Sequence, residues 1–142
     1  MLFVGNHRAK MKNMKNIKRI TILYLVLIVL IIAFVNQGEY IHILRYLVSS
    51  IPYGDKLGHF ILMGFLAFFV NLLLNCKKIK VFQLSVLKGS AIVLIIVTLE
   101  EFSQIFIDNR SFDLLDLTFD YLGIWVFGQL AFKWMSYQQR LS

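Results

Sequence analysis

Four long apolar segments, separated by shorter polar stretches, dominate the chain. A helix that crosses the hydrocarbon core of a bilayer needs about 20 largely apolar residues. Each segment approaches that length once its interfacial flanking residues are included. The pattern therefore predicts an all-α fold, a polytopic membrane protein built as a four-transmembrane-helix bundle. The predicted helices cover residues 20–35, 57–74, 84–99 and 117–132, in a membrane domain of residues 20–134 between a basic N-terminus, 1–19, and a short tail, 135–142.

Composition and charge favour membrane insertion and indicate its direction. Hydrophobic residues make up 58% of the chain, whereas soluble domains carry about 45–50%. Basic residues precede the first segment, follow the second and recur in the tail, and basic loops stay on the cytoplasmic side of a membrane. Both termini are therefore predicted to be cytoplasmic, in a multi-pass protein of the plasma (inner) membrane whose partners include membrane lipids.

Other interpretations of the same features are weaker. A net charge of +7 is also found in nucleic-acid-binding proteins, but here the basic residues form short blocks without a recognition motif, so no nucleic-acid partner is expected. The first segment could be a cleaved signal peptide, yet no A-x-A pattern follows Val35, which favours a retained anchor. Cys76 is the single cysteine, so no intramolecular disulfide can form. It is either a palmitoylation site or a small apolar residue.

The residues that carry chemistry gather at the connections predicted to face the outside. All eight carboxylates lie between residues 39 and 120, in or beside the first and third connections. Three clusters result, and we expect them to converge on one rim of the bundle. They comprise Asp55, Lys56 and His59; then Glu100, Glu101 and Gln104; then Arg110, Asp113, Asp116 and Asp120.

The third cluster contains an acidic stripe. Asp113, Asp116 and Asp120 fall on one side of a helix with 3.6 residues per turn. Asp113 or Asp116 suits a helix N-terminus, where a carboxylate caps free N–H groups. Asp120 lies about a turn inside the apolar span, so we expect it to face the bundle interior, protonated, paired or in contact with water. Three glycines are expected to mark close helix contacts: Gly64, Gly123 and Gly128.

These polar residues allow three interpretations, which the sequence leaves open. They could tie the helices together, bind or convert a substrate, or hold a metal ion. No compact metal-ligand motif is present, so no metal or cofactor is predicted. Asp55 lies four residues before His59, where it would orient the ring. In a catalytic site His59 and Glu101 would be the acid and base, while Lys56 and Arg110 would contact anionic groups. The other predicted ligand-binding residues are Asp55, Gln104, Asp113, Asp116 and Asp120.

The segments DKLGHF, EEFSQIF and RSFDLLDLTFDYLG follow one another in the chain. Their order resembles the pattern of the VanZ-like family of small bacterial integral membrane proteins, which is D-K-x-x-H, then E-x-x-Q, then R-x5-D-x3-N-x2-G. Asp120 stands where that family usually has Asn, and a carboxylate there needs a cation or a proton. The matching residues are Asp55, Lys56, His59, Glu101, Gln104, Arg110, Asp116 and Gly123.

The resemblance implies a role in the cell envelope, because the founding member of the family is linked to low-level resistance to the glycopeptide teicoplanin. It implies no particular reaction. The expected function is a polar site on the extracytoplasmic face that binds a lipid-linked or anionic envelope ligand. The alternative is a small membrane enzyme that acts on a lipid phosphate or another envelope intermediate, with His59 and Glu101 as acid and base. Oligomerisation stays open.

Overall fold

The computed structural model describes residues 15–31, 53–106 and 113–140. Helix α1 covers the described residues 15–31. The prediction of an all-α fold is confirmed at the level of four helices, with one small β-hairpin added. The elements after α1 are α2 (Gly54–Leu73), strands β1 (Lys78–Val81) and β2 (Leu84–Leu87), α3 (Lys88–Ser103) with a 3-10 turn at Gln104–Phe106, and α4 (Leu114–Arg140).

Helix α2 begins three residues before the apolar segment that predicts it. Tyr53 takes a left-handed backbone conformation with φ of 58°, and the helix starts at Gly54, so the polar turn that carries Lys56 is helical. At the other end, the N–H of Cys76 donates to the carbonyl oxygen of Asn71 at 2.7 Å. This bond satisfies one of the carbonyl groups that a helix C-terminus leaves unpaired, and the chain then turns into β1.

The predicted start of the third helix is wrong. Residues 84–87 form strand β2, and α3 begins only at Lys88. The connection between the second and third predicted helices contains strand β1, which pairs antiparallel with β2. Strand β1 alternates lysine with Ile and Val, and β-branched residues favour strands. Phe82, at the turn, takes the left-handed backbone (φ 54°) that suits a tight hairpin.

Helices α2 and α4 make the most extensive contact among the described elements, and small residues allow it. A Cβ atom at Gly123 would overlap the backbone of Phe60, and one at Gly64 would lie 2.5 Å from the Phe127 ring. A Cβ at Gly128 would meet a side chain of α3, also at 2.5 Å. The prediction that these three glycines mark close helix contacts is confirmed, since only the missing side chains let the backbones approach.

The bundle core is apolar, with one polar contact near the hairpin. Asn71 is fully buried. Its Nδ2 donates to the hydroxyl of Ser90 at 2.8 Å, and its Oδ1 accepts from the backbone N–H of Ser90 at 3.2 Å. Because the amide is satisfied on both sides, it links α2 to α3 without an unpaired buried group. The main cluster of buried apolar residues comprises Ile28, Met63, Leu66, Ala67, Val93, Val97, Leu117 and Ile124.

Two helical stretches of the described chain, Gly54–Leu73 and Lys88–Phe106, are long and apolar enough to cross a membrane. The outer surface of α3 and α4 is also apolar, and Ile95, Leu99 and Trp125 are each more than half exposed. Large contiguous apolar surfaces are rare on soluble monomers. Two of the four predicted spans thus meet the length and composition test, and the four-span bundle stays a prediction.

Candidate functional site

Lys56 lies at the centre of three carboxylates. Its Nζ atom is 3.1 Å from Oδ2 of Asp55, 2.6 Å from Oδ2 of Asp113 and 2.5 Å from Oδ1 of Asp116. The lysine side chain is 9% exposed, so its charge is compensated by these partners rather than by water. An ammonium group has three donors, and each has a carboxylate within hydrogen-bond distance. The cation therefore ties the first turn of α2 to the start of α4.

The start of α4 is built around Asp113. Its Oδ1 accepts from the backbone N–H of Leu115 at 2.8 Å, and its backbone carbonyl accepts from the N–H of Leu117 at 3.3 Å. These bonds make Asp113 the N-cap of α4, as predicted. The hydrogen bond from Lys56 holds the pKa of this carboxyl below its ordinary value. Asp113 thus remains an anion at neutral pH and serves both the helix end and the lysine.

His59 lies one turn deeper and is held by α4. Its Nδ1 is 3.1 Å from Oδ1 of Asp120, and its Nε2 is 3.7 Å from Oδ2 of Asp116. An ionised carboxylate only accepts hydrogen bonds, so Nδ1 of His59 is the donor whenever Asp120 is in that form. Asp120 is buried, faces the bundle interior and has His59 as its partner. The prediction that Asp120 points inward and is paired is therefore confirmed. The expected orienting role of Asp55 is wrong, because Asp55 pairs with Lys56.

Glu101 is buried on α3 and fixes the start of α4 from the other side. Its Oε1 accepts from the backbone N–H of Asp113 at 2.9 Å, and its Oε2 accepts from Nε2 of Gln104 at 3.2 Å. Gln104 also donates to Glu100 at 3.1 Å. Glu101 and Gln104 are therefore neighbours, as their spacing predicts. Both oxygens of Glu101 already hold structural hydrogen bonds, so it supports the site more directly than it supplies a free base.

The side chains around Lys56, His59 and Glu101 form one cluster, which is acidic overall. Six carboxylates of the described chain lie in it, against Lys56 and the titratable ring of His59. No group of three His, Cys, Asp or Glu residues within 15–31, 53–106 and 113–140 is arranged to hold a metal ion. The Lys56 ammonium is the cation that three of these carboxylates surround. Arg110, a predicted anion contact, lies outside the described residues. The six carboxylates are Asp55, Glu100, Glu101, Asp113, Asp116 and Asp120.

The expected role of Lys56 as a direct anion contact is not what the geometry favours. All three of its donors face carboxylates, so an anionic ligand would have to displace one of them. Asp116 has a role that spacing alone did not reveal, because it lies beside both Lys56 and His59. Its place in the R-x5-D element and its position one turn before Asp120 on the acidic stripe marked it as a candidate, but neither indicated this double contact.

No protein-family model, no curated protein and no solved structure matches this chain. Residues from three separate segments meet at one end of the bundle, where α2 and α4 both begin. This convergence makes the cluster the candidate functional site.

Proposed function

We propose that the chain is a VanZ-like integral membrane protein of the bacterial cell envelope, whose polar cluster binds an envelope ligand on the extracytoplasmic face. One observation carries the proposal. The three motif elements supply Lys56 and His59 from α2, Glu101 from α3 and Asp116 from α4, and these side chains meet in one network. Lys56 and the partly buried His59 are both faced by carboxylates of the α4 segment, and Glu101 of α3 holds the start of that segment.

The membrane placement has independent support. Two helices are long and apolar enough to span, and apolar side chains cover the outer faces of α3 and α4. The hairpin that carries Lys78 and Lys80 joins the far ends of α2 and α3, opposite the acidic cluster. Basic residues favour the cytoplasmic side, so this arrangement directs the cluster outward. Four spans and cytoplasmic termini complete the proposed topology.

The charge balance indicates which part of a ligand the site would contact. Within the cluster the six described carboxylates outnumber the one described lysine, and the donors of Lys56 are occupied. The site therefore favours a lipid-linked ligand that offers amide, hydroxyl or amine donors to Asp116 and His59. A phosphate on the same ligand would need Arg110 as its contact. Resistance to teicoplanin-type glycopeptides is the phenotype that would report such binding.

The experiment is a teicoplanin susceptibility assay in a susceptible host that expresses the chain. The wild-type protein should raise the inhibitory concentration, and His59→Gln should abolish that increase, because the ring faces both Asp116 and Asp120. Asp55→Asn is the matched control, since Asp55 is largely exposed and only one of three partners of Lys56. Membrane abundance is measured for each variant. Full activity of His59→Gln at equal abundance would remove the cluster from the proposed function.

A second candidate function is favoured by the pairing of His59 with Asp120. A carboxylate that fixes Nδ1–H leaves Nε2 to exchange a proton with a substrate. In hydrolysis of a lipid phosphate, His59 would take a proton from a water molecule while the oxygen of that water attacks the phosphorus atom. The phosphorus–oxygen ester bond would break, and the leaving alcohol would receive the proton. Glu101 would be a positioning residue, because its oxygens hold Asp113 and Gln104.

The test of this candidate is phosphate release from a polyprenyl phosphate in proteoliposomes. His59→Gln should reduce turnover at least a hundredfold, in line with the loss of general acid–base catalysis. Glu101→Gln should reduce it less, because an amide oxygen still accepts from the N–H of Asp113. Absence of turnover in the wild-type protein, alongside an intact resistance phenotype, would leave binding as the function.

A further inference from the structure

A groove of about 520 Å³ lies between the hairpin, α3 and α4, away from the acidic cluster. Its wall is mostly apolar and includes Leu84 of the hairpin, Leu94 and Ile95 of α3, and Trp125 of α4. These side chains are all substantially exposed. The volume falls within the range of about 300–1,000 Å³ found for small-molecule sites. The groove is therefore large enough for part of a hydrocarbon chain.

The mouth of this groove is basic. Lys78 lines it, and Lys80 lies on the same face of the hairpin because alternate strand residues point to one side. The Nζ atom of Lys78 lies 4.2 Å from the centre of the Phe132 ring, so this side chain is held against α4. No Asp or Glu occurs between Asp55 and Glu100. The hairpin lysines thus have no acidic neighbour along this part of the chain.

We propose that this groove binds an anionic phospholipid, with one acyl chain against Leu94, Ile95 and Trp125 and the headgroup phosphate at Lys78 and Lys80. The inference rests on the proposed membrane placement but not on the function of the acidic cluster. Charge complementarity indicates the ligand, because an apolar groove with lysines on its hairpin side matches a lipid with a negative headgroup. Phe82, at the hairpin tip, is almost fully exposed and would anchor the hairpin in the same interface.

The length of the groove fits this occupant. It follows α3 from Ser90 to Ile95 and α4 from Tyr121 to Gln129. At about 1.5 Å of rise per residue, this is roughly 10 Å along the helices, less than one leaflet of a hydrocarbon core about 30 Å thick. The first part of an acyl chain would lie in the groove, and the remainder would extend into the bilayer.

The test uses the fluorescence of Trp125 in reconstituted vesicles. Trp134→Phe removes the other tryptophan, so quenching by brominated lipids then reports the surroundings of Trp125, which lines the groove. Brominated phosphatidylglycerol should bind more tightly than brominated phosphatidylcholine, by about fivefold for each contacting lysine. Lys78→Gln with Lys80→Gln should bring the two lipids close to equality. Lys133→Gln, which removes an exposed lysine outside the groove, should keep the preference.

Each other outcome overturns the proposal in a distinguishable way. Equal quenching by both lipids in the protein that has its lysines would exclude recognition of the headgroup. An unchanged preference in the double variant would move the contact away from the hairpin. Insensitivity of Trp125 to both lipids would indicate that another protein surface covers this face. Failure of the chain to insert into vesicles would defeat the membrane placement as well, and only that result bears on the proposed function.

Discussion

Replacing Lys56 with methionine is expected to lower the free energy of unfolding by about 3 kcal/mol. Loss of one partner from a buried ion pair costs about 3–5 kcal/mol. The lower end applies because Asp55 and Asp113 are partly exposed and remain hydrated. Methionine keeps the unbranched stem of the side chain and lacks only its terminal ammonium, so the loss mainly reports the charge. Three carboxylates would then face one another without a cation, and the starts of α2 and α4 would separate.

The measurement is denaturant-induced unfolding of the purified protein in detergent, followed by helicity. Lys80→Met is the matched control: it removes an exposed lysine of the hairpin and should change stability by no more than about 0.5 kcal/mol. Adding Asp116→Asn to Lys56→Met should recover part of the loss, because it removes one of the repelling charges. A loss for Lys56→Met no larger than that of the control would contradict the role of Lys56 as the central cation.

Replacing Asp120 with leucine is expected to cost about 1–3 kcal/mol, the usual penalty for leaving a buried polar partner unsatisfied. The side chain of Asp120 is buried against α2, and its carboxylate accepts from Nδ1 of His59 at 3.1 Å. Leucine has the same number of side-chain heavy atoms and the same branching but no acceptor, so it removes the hydrogen bond with a similar side-chain shape. Thermal unfolding in detergent measures the effect.

Asp120→Asn is the informative companion variant. Its amide oxygen still accepts from Nδ1–H, so its stability should stay within about 1 kcal/mol of the parent protein. Equal damage from the asparagine and leucine variants would mean that the charge of Asp120, rather than its hydrogen bond, holds the two helices.

The helices were predictable from apolar runs, whereas their polar ends were not. Helix α2 was expected at 57–74 and covers Gly54–Leu73, because a polar first turn is helical but carries no apolar signal. Helix α4 was expected at 117–132 and covers Leu114–Arg140 for the same reason. Strand β2 was missed since an apolar run of four residues is compatible with either a strand or a helix, and its pairing with β1 decides.

The site was predictable as a set of residues, but its pairing was not. The capping role of Asp113 and the inward position of Asp120 follow from local helix geometry. Two pairings depend on how α2 and α4 are aligned along each other. Asp55 pairs with Lys56 rather than with His59, and His59 contacts Asp120. That alignment is set by the approach of Gly123 to the backbone of Phe60, a tertiary contact that motif spacing does not encode.

The most direct measurement is the sidedness of the acidic cluster in a membrane. Cys76 is the only cysteine and is buried, so Cys76→Ala gives a background for single reporters. Asp55→Cys marks the cluster, and Phe82→Cys marks the hairpin tip, both at exposed positions. In right-side-out vesicles, a membrane-impermeant maleimide should label Asp55→Cys at once and Phe82→Cys only after detergent is added. Labelling of both without detergent, or of Phe82→Cys alone, would contradict an extracytoplasmic site on a membrane-spanning bundle.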